Sequence, residues 1–221
     1  MTTVKQVRQL VIPLLERHPE LALVGTAVVV KPVRHLMHYM TVGRTSSAEI
    51  FEPTCNVVGM AGRFREFPLG GKPIYGPRRI WRWTEDRIDE LFVEVVEQEA
   101  LPWLAQTKTL RDHMERVFIS DEHRQAWAPG YVRLLLLLGD LDEARDVLLR
   151  SESADAYWLP ELTKLGIKER LLSLGADLDK SDRRTLAGFF HELERSAAAK
   201  LKTEHLWEPT PFPLEERAPG E

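Results

Sequence analysis

The spacing of apolar residues near the start of the chain predicts an amphipathic helix. Apolar side chains recur at helical intervals and would share one face, and Thr2 or Thr3 precedes them as a possible N-cap. Pro13 is expected to kink this helix or to end it early. The apolar stripe consists of Val4, Val7, Val11 and Leu14.

Runs rich in β-branched residues predict strands in the next part of the chain. Residues 21–31 form one run between two prolines, and apolar side chains on both of its faces predict a central strand. The periodicity of residues 33–40 permits either a helical turn or a strand, and the interpretation taken is a helical turn leading into a strand near 39–44. Further strands are predicted at 50–60 and 79–83, with a glycine- and proline-rich loop at 68–77.

After Thr84 the pattern changes to helical spacing throughout. A strong amphipathic face begins at Ile88, Pro102 is expected to interrupt that helix, and a further helix is predicted at 110–118. The remaining helical patterns cover 130–138, 141–150, 160–174 and 181–202. The predicted fold class is therefore α+β, with a small, mostly antiparallel sheet and helices in the N-terminal half, followed by an all-helical C-terminal half.

The change of pattern also predicts a domain organisation. Residues 1–120 would form an α+β domain and residues 129–202 a helical hairpin region. Residues 203–221 are rich in proline, which predicts an extended tail.

Composition narrows the class of protein. The chain has 221 residues, of which 43% are hydrophobic and 29% charged, as in an ordinary globular protein. Its formal net charge of −4 gives no general attraction to nucleic acid or to an anionic membrane. A single cysteine excludes an internal disulfide, and no apolar run is long enough to span a bilayer. The first residues lack the features of a signal peptide, so we expect a cytoplasmic protein.

The clearest local motif lies in the helical half. In the segment YVRLLLLLGDLDEARDVLLR, Gly139-Asp140 separates two apolar helices, and Ala144 provides a small residue where they would meet. This segment resembles one helical hairpin of the tetratricopeptide repeat family, and a weaker echo of it follows 36 residues later at Gly175. The resemblance implies a protein-binding surface, although a generic helical hairpin fits the same residues. Leu136 and Leu137 exceed what one hairpin face can hold, so the helix at 181–202, the α+β half or another molecule must cover them. The last case makes them candidate partner-binding residues.

A basic segment follows the predicted fourth strand. Residues 62–83 carry six arginines and lysines against one glutamate, with aromatic residues between them. Arg78 and Arg79 are candidate anion-binding residues, because arginines beside aromatics can hold phosphates. The alternative is a solvated hairpin whose charge is neutralised by seven carboxylates at 84–99. Because the positive charge of residues 62–83 and the negative charge of residues 84–99 should largely cancel, we expect no useful affinity for nucleic acid.

The third candidate group is formed by Arg34, His35 and His38. On a helix these side chains would share a face and could bind an anion or a metal, but on a strand the two histidines would point to opposite sides. No convergent set of metal ligands is recognisable, so no metal site and no cofactor are expected. Cys55 lacks a CxxC partner and is expected to be structural. No GxSxG, HExxH or GxGxxG motif occurs.

Two functions from different classes are compatible with these features. The N-terminal half, with VVVKPVRHLMHYM, FEPT, the glycine-rich hairpin and LPWL, resembles uncharacterised bacterial proteins of similar size, and that resemblance implies no known activity. The first hypothesis is a non-enzymatic protein-binding or regulatory protein with a protein partner. The alternative is a small-molecule or nucleotide-handling enzyme that uses Arg34, His35, His38 and the basic loop, so whether the chain is an enzyme stays open.

Overall fold

A computed structural model describes residues 2–62, 71–75, 80–150 and 159–217. Within these residues the chain divides into two compact units. The first, called here the α+β unit, contains residues 2–58, 71–75, 80–108 and 199–208. The second, called the helical unit, contains residues 59–62, 109–150, 159–198 and 209–217. The predicted fold class is confirmed, because every strand of the described chain lies before residue 84 and helices follow it.

The sheet of the α+β unit has six strands among the described residues. Its order is β1-β2-β3-β4-β5, and β6 pairs with β4 as well. Antiparallel pairing joins β1 to β2, β2 to β3, and β4 to both β5 and β6. The strands are β1 (Leu21–Val24), β2 (Ala27–Val30), β3 (Leu36–Arg44), β4 (Ile50–Gly59), β5 (Lys72–Pro73) and β6 (Trp81–Arg82).

The single central strand predicted for residues 21–31 is wrong. The segment forms a hairpin, because Gly25 takes a φ of 63° and the pair Val24–Ala27 closes a two-residue turn. β1 therefore lies at one end of the strand order rather than in its middle. The interpretation of residues 33–40 also changes, since β3 already begins at Leu36.

Three helices accompany the sheet: α1 (Val4–Arg17), α2 (Ile88–Val95) and α3 (Leu101–Leu104). Thr3 caps α1 in a reciprocal capping box with Gln6, at N–O distances of 3.2 and 3.0 Å. The helix continues past Pro13, so the early end predicted there does not occur. Its predicted apolar stripe is buried from Val7 onward.

A π-helical segment at Val96–Ala100 joins α2 to α3. The Leu101 N–H donates to the carbonyl of Val96, five residues back, so the helical path continues into Pro102 instead of breaking there. Pro102 stands in the first turn of α3, directly after the π-helical segment. The interruption predicted at this proline is thus a change of helical pitch.

Aromatic packing fixes α2 on the sheet. Phe92 of α2 meets Trp81 of β6 edge-on, with ring centroids 5.6 Å apart, and lies 6.5 Å from Phe51 of β4. All three side chains are buried. α2 also packs against α1. These contacts turn the opposite, charged face of α2 toward solvent.

The helical unit has a short 3₁₀ helix at Gly175–Asp177 and eight α-helices among its described residues, and the last turn of α10 belongs to the α+β unit. They are α4 (Leu110–Val117), α5 (Asp121–Ala126), α6 (Ala128–Leu138), α7 (Leu141–Arg150), α8 (Leu159–Lys164), α9 (Ile167–Leu174), α10 (Lys180–Leu201) and α11 (Pro213–Glu216).

The predicted break between α6 and α7 occurs at Gly139. This glycine ends α6 with a φ of 78°, and the Asp140 N–H donates to the carbonyl of Leu135 at 2.9 Å. Ala144 is fully buried where α6 and α7 pack, as expected for a small residue at a close helix contact. Val147 and Leu148, further along α7, are only half-buried.

The described end of the chain differs from the extended tail predicted for 203–221. Residues 203–208 belong to the α+β unit, and residues 209–217 belong to the helical unit. Phe212 and Leu214 are fully buried, and the short helix α11, which contains Leu214, lies between Phe212 and Arg217. The proline content predicts an extended chain, but the burial of the Phe212 and Leu214 side chains determines its path.

Candidate functional site

Within the predicted cluster, Arg34 and His38 have different partners, and His35 is half-buried. Nε2 of His38 lies 2.6 Å from the Thr107 carbonyl, and burial lowers the pKa of this imidazole. Arg34 is exposed and donates twice to Glu208, at 3.2 Å. His38 is therefore a neutral residue that holds the chain at Thr107. The side chains of Arg34 and His38 therefore do not converge on one site.

Arg78 and Arg79, the candidate anion-binding residues of the basic loop, lie outside the described residues. Two charges of the same segment are described, and each faces a carboxylate. Lys72 lies 3.8 Å from Glu99, and Arg82 lies 3.8 Å from Glu49. Both pairs are partly exposed, so each contributes little to stability.

The leucines predicted to bind a partner are inside the chain. Leu136 is 0% exposed and Leu137 is 2% exposed. α6 packs against α4, α5, α7 and α11, so neighbours on several sides cover it. The expectation of an apolar patch at Leu136 and Leu137 is corrected accordingly: their second face is buried within the protein.

In the described part of the chain, neither Cys55 nor any group of potential metal-binding side chains forms a reactive centre. The Cys55 side chain is fully buried, and burial raises the pKa of its thiol to about 12. A thiol of that pKa is a poor nucleophile at neutral pH. Among the described residues, no group of three or more His, Cys, Asp and Glu side chains could hold a metal ion. None of the helices in these residues combines the length and the apolar character that crossing a membrane requires.

The candidate site that the structure provides is a groove of about 520 Å³ on the α+β unit, called here the acidic groove. It is formed by the solvent face of α2, the turn before it, the first π-helical residues and the end of α1. Its lining consists of Arg17, Asp86, Arg87, Glu90, Leu91, Glu94 and Glu97.

The charges in the acidic groove are unequal. Four carboxylates face two guanidinium groups, which leaves a formal charge of −2. Arg17 pairs with Glu97 at 3.5 Å, and Arg87 pairs with Glu90. Among the described residues, Asp86 and Glu94 have no cationic partner, although Glu94 accepts a hydrogen bond from Gln98 at 3.2 Å. Within the part of the chain that the structure describes, these two carboxylates are thus available to an external cation.

His18 fixes one side of the acidic groove. It ends α1, and its ring nitrogens lie 2.9 Å from Glu20 and 3.0 Å from Glu97. Burial acts to lower the pKa of His18, but the hydrogen bonds to Glu97 and Glu20 outweigh it and raise the pKa above its ordinary value. The same contact with His18 lowers the pKa of Glu97. Glu97 is therefore held ionised and in place by α1.

Sequence reasoning did not select the acidic groove, although a signal for it was present. Asp86, Glu90, Glu94 and Glu97 follow one another at intervals of four, four and three residues, which places them on one helix face. The carboxylates of this segment were interpreted as a countercharge for the basic loop. Their alignment with Arg17 requires the packing of α1 against α2, which local spacing does not reveal.

Comparisons with family models, with curated proteins and with solved structures give no match to this chain. The resemblances to a tetratricopeptide hairpin and to uncharacterised bacterial proteins therefore stay predictions.

Proposed function

We propose that the chain is a non-enzymatic protein-binding or regulatory protein, and that the acidic groove receives a basic segment of a partner protein. The observation that carries the proposal is the row of four carboxylates on a concave surface, two of which have no cationic partner among the described residues. Lysine and arginine side chains on an extended segment would complement this charge.

The size of the acidic groove favours a short segment over a folded domain. A volume of about 520 Å³ accommodates a few long side chains. Leu91 is half-buried in the lining and offers an apolar contact for the methylene stem of a lysine or arginine. The negative field also disfavours phosphate groups, which supports the expectation that nucleic acid is not the ligand.

The enzyme alternative has less support. Arg34 and His38 hold Glu208 and Thr107, so two of its proposed groups serve contacts within the chain.

For the compartment we propose the cytoplasm of a bacterial cell, and the support is in the sequence. A single cysteine excludes an internal disulfide, and the N-terminal half resembles bacterial proteins.

A binding titration tests the proposal. The probe is a fluorescein-labelled ten-residue peptide of alternating lysine and serine, and the control peptide carries glutamate in place of lysine. We expect the wild-type protein to bind the lysine peptide with a Kd on the order of micromolar at low salt and to ignore the control peptide. Asp86→Asn with Glu94→Gln should weaken binding by about tenfold, because the two available carboxylates are lost.

A matched variant distinguishes the acidic groove from net charge. Glu52→Gln with Glu204→Gln removes two exposed carboxylates elsewhere on the same unit and should leave Kd within about twofold. Equal weakening by both double variants would show that the peptide senses only overall charge. Binding that neither variant changes would place the site elsewhere, and either result rejects the proposal.

A further inference from the structure

The last described residues, 209–217, pack on α6 and α10 of the helical unit, and we call them the C-terminal strap. The space that their buried side chains fill is called the cleft. Phe212 and Leu214 are each 0% exposed, while the intervening Pro213 is half-buried and Glu215 is exposed. The Phe212 ring stacks on His191 of α10, with centroids 4.4 Å apart at an angle of 25°, and meets Phe190 edge-on at 6.4 Å. Two apolar anchors therefore seat the strap.

Two polar contacts hold the strap beside these anchors. Glu215 accepts a hydrogen bond from Nε2 of His191 at 2.8 Å and another from the Phe212 backbone N–H at 2.8 Å. Arg217 donates to Oδ1 of Asp140 at 2.6 Å, at the junction of α6 and α7. The other carboxylate oxygen of Asp140 accepts from Arg111 of α4, also at 2.6 Å. Both charged clamps, at Glu215 and Arg217, thus follow the two anchors along the chain.

The backbone of the strap is suited to association through side chains. Pro209, Pro211 and Pro213 lack N–H donors and restrict the chain to extended conformations before α11. Such a segment loses little conformational entropy when it docks. Its internal backbone bonds, from Glu215 to Phe212 and from Arg217 to Pro213, belong to the single turn of α11. The strap is therefore held through its side chains, as a bound peptide ligand is.

We propose that the cleft holding Phe212 and Leu214 is a peptide-binding site that the chain closes with its own C-terminal strap. The ligand it accepts from a partner protein has the chemistry of the strap: an aromatic residue, a proline, a leucine and then a carboxylate that reaches His191. Such a segment competes with residues 209–217. This site lies on the helical unit and is independent of the acidic groove, so either can fail alone.

Peptide binding to the full-length protein tests this site. The probe is a labelled peptide spanning residues 208–217, and the control peptide has alanine at the position of Phe212. In the full chain, Phe212→Ala with Leu214→Ala removes both anchors and frees the cleft. We expect this variant to bind the probe at least about tenfold more tightly than the wild-type protein does, with no binding of the control peptide. A folded variant that binds no better than wild type, or binds both peptides alike, overturns the proposal.

Hydrogen exchange of the wild-type protein provides a test that does not depend on the folding of that variant. The amides of Glu215 and Arg217 should exchange at least about tenfold faster than the amides in the middle of α6 and α10, because the strap opens without global unfolding. Arg217→Ala should speed exchange at Glu215 further, since it removes the clamp to Asp140. If the amides of the strap exchange as slowly as those of the core helices, the strap is a fixed part of the core and the proposal is overturned.

Discussion

Nε2 of His191 lies 2.8 Å from Oε1 of Glu215, which joins α10 to the C-terminal strap. Nδ1 of the same ring lies 3.7 Å from the buried carboxylate of Glu194, an ion-pair contact longer than a hydrogen bond. Glu194 first, and Glu215 in addition, raise the pKa of His191 against the opposing effect of burial. The charged imidazole of His191 therefore links Glu215 of the strap to the buried carboxylate of Glu194 in the helical unit.

The raised pKa of His191 predicts a pH-dependent contribution to stability. A histidine whose pKa is higher in the folded state stabilises the fold fully below its unfolded pKa of about 6.5, and this stabilisation is lost as pH rises through the folded pKa. We expect His191→Gln to lower the free energy of unfolding more at pH 5.5 than at pH 8.5. Urea denaturation at both pH values measures this. A loss of equal size at the two pH values would contradict the charged role of His191.

His38 gives a prediction about structure rather than activity. His38→Ala should lower the free energy of unfolding by about 1–3 kcal/mol, because the Thr107 carbonyl loses its imidazole donor. His205→Ala, at an exposed position of the same unit, should change stability by less than about 0.5 kcal/mol. Urea denaturation compares the two. A stable His38→Ala protein that has lost a biochemical activity would instead revive the enzyme alternative.

Cys55 should be inert in the native protein. Full burial and a pKa raised to about 12 leave almost no thiolate at neutral pH. Iodoacetamide at pH 7.5 should leave the native thiol unmodified and should label it in 6 M guanidinium chloride, as mass spectrometry can measure. Rapid stoichiometric labelling of the folded protein would reject a structural Cys55.

Ala144 tests the contact of α6 with α7. Ala144→Arg should lower the free energy of unfolding by at least about 3 kcal/mol, because it buries an unpaired charge at a position that is 0% exposed. Leu149→Arg, on the same helix at a side chain that is 63% exposed, should cost less than about 0.5 kcal/mol. Thermal unfolding of both variants measures the difference. Unchanged stability of the Ala144 variant would refute the hairpin packing.

Much of the fold could be predicted because periodicity reports local amphipathicity directly. The run at 50–60 and the spacing after Ile88 each correspond to an element in the structure. The hairpin at Gly25 was missed because only two residues, Gly25 and Thr26, interrupt an otherwise apolar run. Composition likewise suggested a free tail where Phe212 and Leu214 are buried. Burial at those positions depends on a tertiary cleft that local composition does not encode.

The candidate site was less predictable than the fold. Arginines and histidines drew attention because their chemistry is versatile, yet His38 and Arg34 serve internal contacts. The carboxylate stripe of α2 was visible in the sequence, but its concave setting depends on the end of α1 at Arg17. A helix stripe shows which residues share a face, and only the packing of a second helix makes that face a groove.

The central claim is that a basic segment binds in the acidic groove, and mapping the bound peptide tests it most directly. In ¹H–¹⁵N correlation spectra of the labelled protein, the alternating lysine and serine peptide should shift the backbone amides of residues 86–97 and of Arg17 most strongly. The glutamate control peptide should leave these amides unchanged. Shifts confined to other surfaces, or spread evenly over exposed carboxylates such as Glu52 and Glu204, would contradict the account.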